Sequence, residues 1–436
     1  MLKLILKMFR SKVASNALWI VICKGLQAVL GLVISMVSAR LLGPANYGLI
    51  NYAASLVLFV TPVAQLGMTA TLVQELVADP DHEGEILGTA MLSSIASSLL
   101  CILGILLFVS VANPGEPETM LVCGLYSLLL IAQSAELIQY WFQAKLLSRY
   151  TAVATLIAYA MISAYQIAIL VAGKGVHWFA VAKAAEYAMI AAALLVIFRR
   201  NSRCRLSFSV PVLKKMLGRS WYYMLANLMV MTFSQADRVM IKTMIGDAAM
   251  GFYSAAVVCA NATDFIFFAV IDSMRPVILE AKLRDEQAYE KNTSFLYAIV
   301  IYFSLFQSVV IAISARPMVY LLYGAAYGPS VGVLKLLIWY TAFSYIGSAR
   351  TIWILAEGKQ RLLWKINLCG ALVNILLNWI LIPVWGIEGA AFASLVTQMF
   401  TNVGIGFIMP ALRKNNELLL RGANPKSALR MLRQLH

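Results

Sequence analysis

Residues 87–112 read LGTAMLSSIASSLLCILGILLFVSVA, a long run without a single charged side chain. A helix needs roughly 20 apolar residues to cross a hydrocarbon core of about 30 Å. Strands of a membrane barrel instead alternate apolar and polar residues over about ten positions. The run is continuously apolar, so it predicts a transmembrane helix.

Runs of the same kind fill most of the chain, and turn-forming residues such as Gly43-Pro44 and Asn113-Pro114 separate them. They are 13–37, 48–69, 87–112, 120–142, 151–172, 178–198, 220–241, 251–273, 293–313, 331–354, 366–384 and 387–409. The weakest division is the short break at 382–387 between the last two. We therefore predict an all-α integral membrane protein with about twelve transmembrane helices.

Composition supports this class of protein. Of 436 residues, 61% are hydrophobic and 13% are charged, against roughly 45–50% and 25% in soluble globular proteins. These values exclude a soluble enzyme and a disordered chain. The six cysteines form no C-x-x-C pair and no cluster with histidine, so we expect no disulfide framework, no metal site and no cofactor.

The net charge of +15 is informative about how the protein is oriented in the membrane. Most Lys and Arg residues fall in segments that share one side of the membrane when the N-terminus is inside, as the positive-inside rule requires. Segment 70–86 is the exception, because it carries five acids and no base. We predict that both termini are cytoplasmic. Orientation accounts for the basic residues, so we expect no nucleic-acid partner.

A basic segment divides the chain into two halves of six predicted helices each. The predicted organisation is 1–12 as a cytoplasmic interfacial segment, 13–198 as an N-terminal six-helix lobe, 199–219 as a basic cytoplasmic linker, 220–409 as a C-terminal six-helix lobe and 410–436 as a basic cytoplasmic tail.

The two halves also share short patterns. Residues 42–49 (LGPANYGL) match 245–252 (IGDAAMGF), and 175–180 (GVHWFA) match 386–391 (GIEGAA). Each half has an even number of spans, so both enter the membrane in the same direction. This predicts a parallel repeat, an arrangement in which transporters place their site between two bundles.

Three stretches carry a resemblance to a known family: 39–48 (ARLLGPANYG), 237–256 (DRVMIKTMIGDAAMGFYSAA) and 374–391 (NILLNWILIPVWGIEGAA). They are similar to the helix 1–2, 7–8 and 11–12 turns of polysaccharide (Wzx-type, O-antigen or exopolysaccharide) flippases of the MOP superfamily. The resemblance runs from about residue 11 to 410.

The resemblance implies a V-shaped, MATE-like pair of lobes in the cytoplasmic (inner) membrane of a bacterium. Such proteins translocate a lipid-linked oligosaccharide, carried on polyprenyl pyrophosphate, for surface polysaccharide biosynthesis by alternating access. The implied partners are this lipid-linked oligosaccharide, membrane lipids, a coupling proton or sodium ion and other polysaccharide-assembly proteins.

Charged residues at membrane depth are costly, and each is a functional candidate for that reason. The candidates for binding the anionic substrate are Lys24, Arg40, Arg238, Lys242 and Arg350. The candidates for ion coupling are Glu136 and Asp264, because a carboxyl in an apolar site can carry a proton.

Several of these charges have a structural alternative. Lys24 could pair with Glu136 or Asp264, and Arg350 could extend to the inner interface. Lys183 with Glu186, and Asp272 with Arg275, are three residues apart and could neutralise each other on one helix.

Two other functions remain open at this point. A MATE-type multidrug or metabolite exporter would favour acids in the first half for cationic cargo, whereas this chain has Lys24 there. An integral-membrane polysaccharide-assembly enzyme would need a large outer loop or an acidic metal motif, and neither is present. The chain also lacks a nucleotide-binding loop. We therefore expect a transporter and not an enzyme.

Overall fold

Helices account for nearly all of the computed structural model, which describes residues 12–202 and 204–427 and contains no strand in them. The helices are α1 (Lys12–Ala64), α2 (Leu72–Ala78), α3 (Glu83–Ala112), α4 (Pro117–Ser127), α5 (Leu129–Glu136), α6 (Gln139–Ala144), α7 (Ser148–Val171), α8 (Val176–Asn201), α9 (Val210–Met244), α10 (Asp247–Asn261), α11 (Asp264–Arg284), α12 (Glu286–Tyr323), α13 (Ser330–Ala356), α14 (Arg361–Met399), α15 (Ile405–Ile408) and α16 (Arg413–Ala423). The predicted interfacial segment 1–12 lies outside the described residues, apart from Lys12.

Two glycines divide the longest helices where the sequence predicts turns. Gly43 has φ 74° within α1, and Gly386 has φ 59° and ψ −137° within α14. Side chains with a Cβ rarely adopt positive φ, and glycine adopts it at little cost. Each kink separates two of the predicted spans, so α1 and α14 each contain two of them.

Within the described residues, eight helices are long and apolar enough to cross a membrane. The number is nine if α10 and α11, which are bent by 44° at a short break, form one span. The prediction of an all-α, multi-pass membrane protein is confirmed. Which side of the membrane each end faces stays a prediction.

Contacts divide the chain into two compact units, Met1–Met231 and Thr232–His436. The long helix α9 begins in the first unit and ends in the second. The second unit also contains a π-helical segment, Phe400–Gly404, between α14 and α15. The predicted lobe boundaries at 199–219 stay a prediction.

In the first unit, residues 204–209, which come just before α9, lie against the first turns of α3. The Ser207 amide donates to the Gly84 carbonyl at 3.3 Å, and the Ser209 amide donates to the Thr89 hydroxyl at 2.9 Å. A Cβ on Gly84 would lie 2.4 Å from the Arg205 carbonyl oxygen. The two glycines of α3, at 84 and 88, therefore allow this linker to approach the helix backbone closely.

The acidic segment 70–86, which breaks the charge pattern, receives its counter-charges from other segments of the first unit. Glu75 is buried, and it pairs with Lys215 at 2.9 Å and with Arg219. Glu83 pairs with Lys145 at 2.9 Å. The exception to the positive-inside pattern is thus compensated by basic residues nearby in space.

Serine hydroxyls join the helices of the first unit. Ser94 donates to the Ala64 carbonyl and Ser97 to the Val63 carbonyl, both at 2.8 Å. Ser98 shares a hydrogen bond of 2.9 Å with Ser134. Between apolar helices, small residues permit close approach, and hydroxyls bond across the interface.

In the second unit, the C-terminal helix α16 packs against α12. The Tyr297 hydroxyl donates to the Asn415 amide oxygen, and the Arg421 guanidinium lies 3.0 Å from a Glu290 carboxylate oxygen. Asn416 Nδ2 donates to the Val403 carbonyl at 2.9 Å. The polar side chains of this predicted tail thus connect it to the helices of its own unit.

Candidate functional site

A buried carboxylate, Asp237, is the centre of a polar network in the second unit. It lies on α9 and is 8% exposed. The hydroxyls of Tyr253 and Ser394 donate to its Oδ2, the latter at 3.3 Å, and the Arg238 amide donates to Oδ1 at 2.8 Å. Its hydrogen-bond donors are therefore neutral groups, and the charge of the neighbouring Arg238 side chain also acts on this carboxylate.

Two asparagines of α14 extend this network. Asn374 Nδ2 donates to the Ser394 hydroxyl at 3.4 Å, and Asn378 Nδ2 donates to Asn374 Oδ1 at 2.9 Å. Both asparagines are fully buried. Asp237 is not among the site residues predicted from the sequence. The i, i+4 spacing of the two asparagines was the signal that could have marked this face of the helix.

The candidate cations Arg238 and Lys242 lie one turn apart on α9 but have different partners. Arg238 is half-buried, and its Nη1 donates to Gln235 Oε1 at 3.1 Å. Lys242 is 3% exposed and pairs with Asp247 at 2.9 Å, at the start of α10. The charge of Lys242 is therefore balanced by Asp247, whereas Arg238 donates to a neutral amide and also interacts electrostatically with Asp237.

Arg350 on α13 is 5% exposed and lies inside the protein. Its position relative to the inner interface stays a prediction. Its guanidinium donates to the Thr401 carbonyl and, at 3.0 Å, to Asn402 Oδ1. Both acceptors belong to the π-helical segment, whose wider turns change the helical hydrogen-bond pattern there. In the part of the chain that the structure describes, no carboxylate pairs with this arginine.

Asp264 lies at the break between α10 and α11. The Tyr345 hydroxyl donates to its Oδ1 at 2.5 Å, and the Tyr345 ring stacks on Phe267 with centroids 3.9 Å apart. Next to it, Gln307 Nε2 donates to the Thr263 hydroxyl. The break between α10 and α11 thus places the Asp264 carboxylate next to the Thr263 hydroxyl and the Gln307 amide, inside an apolar bundle.

The remaining candidates belong to the first unit. Glu136 ends α5 and is 9% exposed. It interacts electrostatically with Glu186, and no basic group lies within ion-pairing distance of it among the described side chains. Arg40 is exposed near the Gly43 kink. The Lys24 backbone lies in α1, but its side chain is outside the described part, so its pairing is untested.

Two local pairs form as their spacing predicts. Lys183 lies 2.7 Å from Glu186, and Arg275 lies 3.1 Å from Asp272. These four charges neutralise each other on their own helices, which leaves them a structural role.

Two of the three stretches that carry the resemblance, 237–256 and 374–391, meet in the second unit. Residues 245–249, Phe252, Pro329 and 385–388 line one open cavity of about 610 Å³. Glycine makes this possible, because Gly246 and Gly386 both have positive φ where the chain turns into the next helix. Patterns far apart in the sequence thus build one feature of the fold.

Comparison with solved structures identifies the fold. A structure of the lipid II flippase MurJ, in an inward closed conformation, matches with a TM-score of 0.73 and 12% identity, over 93% of this chain and 90% of that chain. An inward-facing multidrug resistance MATE family transporter of the MOP superfamily matches with a TM-score of 0.68 and 15% identity, over 89% and 94%. A Vibrio cholerae MATE transporter matches with a TM-score of 0.57 and 16% identity, over 94% and 100%. At these identities the likeness shows the fold, and it confirms the predicted MATE-like class.

No curated protein matches this chain in sequence. A family described as "Polysaccharide biosynthesis protein" matches residues 13–282, which is more than half of the chain and covers predicted spans of both halves. The chain is a multi-pass membrane protein that belongs to this polysaccharide biosynthesis protein family.

Proposed function

We propose that this protein is a flippase that moves a lipid-linked oligosaccharide, carried on polyprenyl pyrophosphate, across the cytoplasmic membrane of a bacterium. The family match over residues 13–282 carries the proposal, because it connects the chain to polysaccharide biosynthesis. The solved structures with this fold include a protein named as a lipid II flippase, which supports a lipid-linked cargo. The mechanism would be alternating access.

The residues suit such a cargo in a specific way. A diphosphate must be met by cations, and a guanidinium can bind phosphate oxygens bidentately. Among the candidate cations of the second unit, Arg238 fits best, since its side chain donates to a neutral amide and it is only half-buried. Lys242 is engaged by Asp247, and Arg350 is held by the π-helical segment. In the first unit, Lys24 and Arg40 stay candidates.

Ion coupling is the second part of the proposal. Glu136 and Asp264 are carboxyls in apolar surroundings whose partners are neutral or like-charged, and Asp237 joins them as a third candidate. A proton or sodium ion taken up at such a carboxyl would neutralise a buried charge that is costly at membrane depth. Cation binding would then favour the conformation in which the carboxyl is buried.

Complementation of a flippase-null strain tests the function. Wild type is expected to restore surface glycan for at least one cargo type. Glu136→Gln and Asp264→Asn are expected to reduce restoration, with Asp272→Asn as the matched control because Asp272 is exposed and paired on its own helix. Membrane levels of each variant are measured by immunoblot. Full restoration by both test variants would show that neither Glu136 nor Asp264 is needed for ion coupling.

A MATE-type exporter is the second candidate, favoured by the structural similarity to a multidrug resistance transporter. Efflux of cationic dyes from cells that express the protein discriminates the two. If wild type raises dye efflux and fails to restore glycan with several cargo types, the exporter replaces the flippase. A polysaccharide-assembly enzyme is a weaker third candidate, and purified protein that changed the glycan covalently would establish it.

A further inference from the structure

A groove in the first unit runs between α7 and α8, with a volume of about 560 Å³. Three alanines, Ala154, Ala158 and Ala193, make it possible, because their short side chains leave space between the two helices. Larger apolar side chains flank them: Val153, Ile157, Met161, Met189 and Ile197. The remaining lining residues, Arg149 and Tyr150, lie together at one end.

The length of the groove matches half of a membrane. Residues 149 and 161 are twelve positions apart on α7, which is about 18 Å at 1.5 Å per residue. Half of a 30 Å hydrocarbon core is about 15 Å. With the predicted orientation, α7 starts at the inner surface, so the groove crosses the inner leaflet and Arg149 lies at headgroup level.

The polar end of the groove holds a cation in a defined position. Arg149 Nη2 donates to the Tyr150 hydroxyl at 3.1 Å, and the guanidinium carbon lies 4.9 Å from the centroid of the Tyr150 ring. Arg149 itself is exposed. This end of the groove therefore carries a positive charge, and phosphate is an anion that a planar guanidinium binds well.

We propose that this groove binds an anionic phospholipid of the inner leaflet, with one acyl chain along the alanines and the phosphate at Arg149. The lining matches an amphiphile, since it is apolar for its whole length and cationic at one end. Basic pockets between transmembrane helices on the cytoplasmic side are known to hold acidic headgroups. This site goes beyond the proposed function and uses the predicted orientation only to name the leaflet.

The lining argues against the lipid-linked oligosaccharide as the occupant. A glycan needs several hydroxyl, amide or carboxylate partners, and beyond Arg149 the only polar lining side chain of this groove is Tyr150. A single guanidinium also suits the single charge of a phosphodiester better than a diphosphate.

Native mass spectrometry on the purified protein tests whether binding depends on the negative charge of the lipid and on Arg149. Phosphatidylglycerol and phosphatidylethanolamine are titrated separately against wild type, which is expected to prefer phosphatidylglycerol. Arg149→Gln is expected to weaken phosphatidylglycerol binding about fivefold, the effect of one basic residue near the membrane surface. Arg200→Gln is the matched control, because Arg200 is exposed near the end of α8 and does not line the groove.

A larger side chain in the groove tests whether the lipid acyl chain lies along the alanines. Ala193→Leu is expected to reduce phosphatidylglycerol retention, whereas Ala192→Leu, an exposed neighbour outside the groove, keeps it. Gel filtration establishes that all variants are folded and monodisperse.

Three results would overturn the proposal: equal wild-type affinity for the two phospholipids, equal losses in Arg149→Gln and Arg200→Gln, or displacement of phosphatidylglycerol by an equimolar polyprenyl phosphate. Binding is measured without transport, so failure here leaves the flippase proposal intact, and failed complementation leaves this site intact.

Discussion

At the scale of single residues, the ionisable side chains of this protein fall into two groups. Lys183, Lys242 and Asp272 have an opposite charge three to five positions away in the chain. Asp237 and Arg350 are instead held by hydroxyls, amides and carbonyls while being almost fully buried. Burying a charge is costly. Asp237 interacts electrostatically with the half-buried Arg238, whereas no carboxylate pairs with Arg350 in the described part of the chain.

Arg238→Gln is expected to lower glycan restoration in the complementation assay by about tenfold, because a hydrogen bond to a charged group contributes about 1.5–3 kcal/mol. Arg275→Gln is the control, since Arg275 is half exposed and pairs with Asp272 on its own helix. Surface glycan is quantified at matched protein levels. If both variants restore glycan equally, Arg238 does not contact the substrate.

Glu75 connects pH to stability. Burial raises the pKa of Glu75, but the hydrogen bonds and the positive charges of Lys215 and Arg219 together hold the pKa below the ordinary value of 4.5. The ionised form therefore stabilises the folded protein at neutral pH, and this contribution is lost as the pH falls below about 4.5 and through the lower folded-state pKa.

Glu75→Gln is expected to cost about 1 kcal/mol at pH 7 and to reduce the loss of stability on acidification. Thermal unfolding of the purified protein between pH 7 and 3.5 measures both effects. Glu417→Gln, at an exposed position on α16, is the control and is expected to follow wild type at every pH. Parallel curves for wild type and Glu75→Gln would show that Glu75 does not titrate as described.

At the scale of helices, glycine placement determines where the long spans bend and where the linker approaches. Gly386 and Gly43 adopt positive φ, so the reason for glycine is backbone conformation. At Gly88 the reason is space, because a Cβ there would lie 2.3 Å from the Ser207 carbonyl oxygen. A methyl group added at Gly386 is therefore expected to strain the backbone, whereas one added at Gly88 is expected to collide with the linker.

Gly386→Ala is expected to destabilise the protein by about 1–3 kcal/mol through backbone strain alone, since the space around it is open. Gly104→Ala adds the same methyl group to open space within α3 and is expected to be neutral or slightly stabilising, because alanine favours helix. Thermal unfolding of both variants is compared with wild type. Equal effects would mean that φ at 386 imposes no constraint.

Gly88→Ala is expected to displace the linker from α3 and to lower the unfolding temperature relative to Gly104→Ala on the same helix. Limited proteolysis between residues 202 and 209 gives a second measurement, and faster cleavage is expected in Gly88→Ala only. Unchanged cleavage would indicate that the linker tolerates the added methyl group.

At the scale of the whole molecule, the distribution of Lys and Arg predicts the orientation in the membrane. In a cysteine-free background, an impermeant maleimide added to intact cells is expected to label Lys174→Cys and not Leu283→Cys, and both positions are exposed. Both are expected to react after permeabilisation. The reverse pattern in intact cells would invert the predicted topology and the leaflet assigned to the lipid groove.

The sequence by itself determined that this is a helical membrane protein, where its apolar runs lie, and where turns at Gly43 and Gly386 divide two long helices. It also determined the local pairs Lys183–Glu186 and Asp272–Arg275. These features depend on hydrophobicity and on contacts within a few residues, which a linear pattern records directly.

Only the tertiary structure decided which distant side chains meet. Glu75 with Lys215, Asp237 with Ser394, and Arg350 with Thr401 join residues that no spacing rule connects. In a soluble helix the apolar face marks the packed side, but in lipid the packed and the lipid-facing sides are both apolar. Periodicity therefore could not show which face of each helix is buried, and the position of each intramembrane charge had to come from packing.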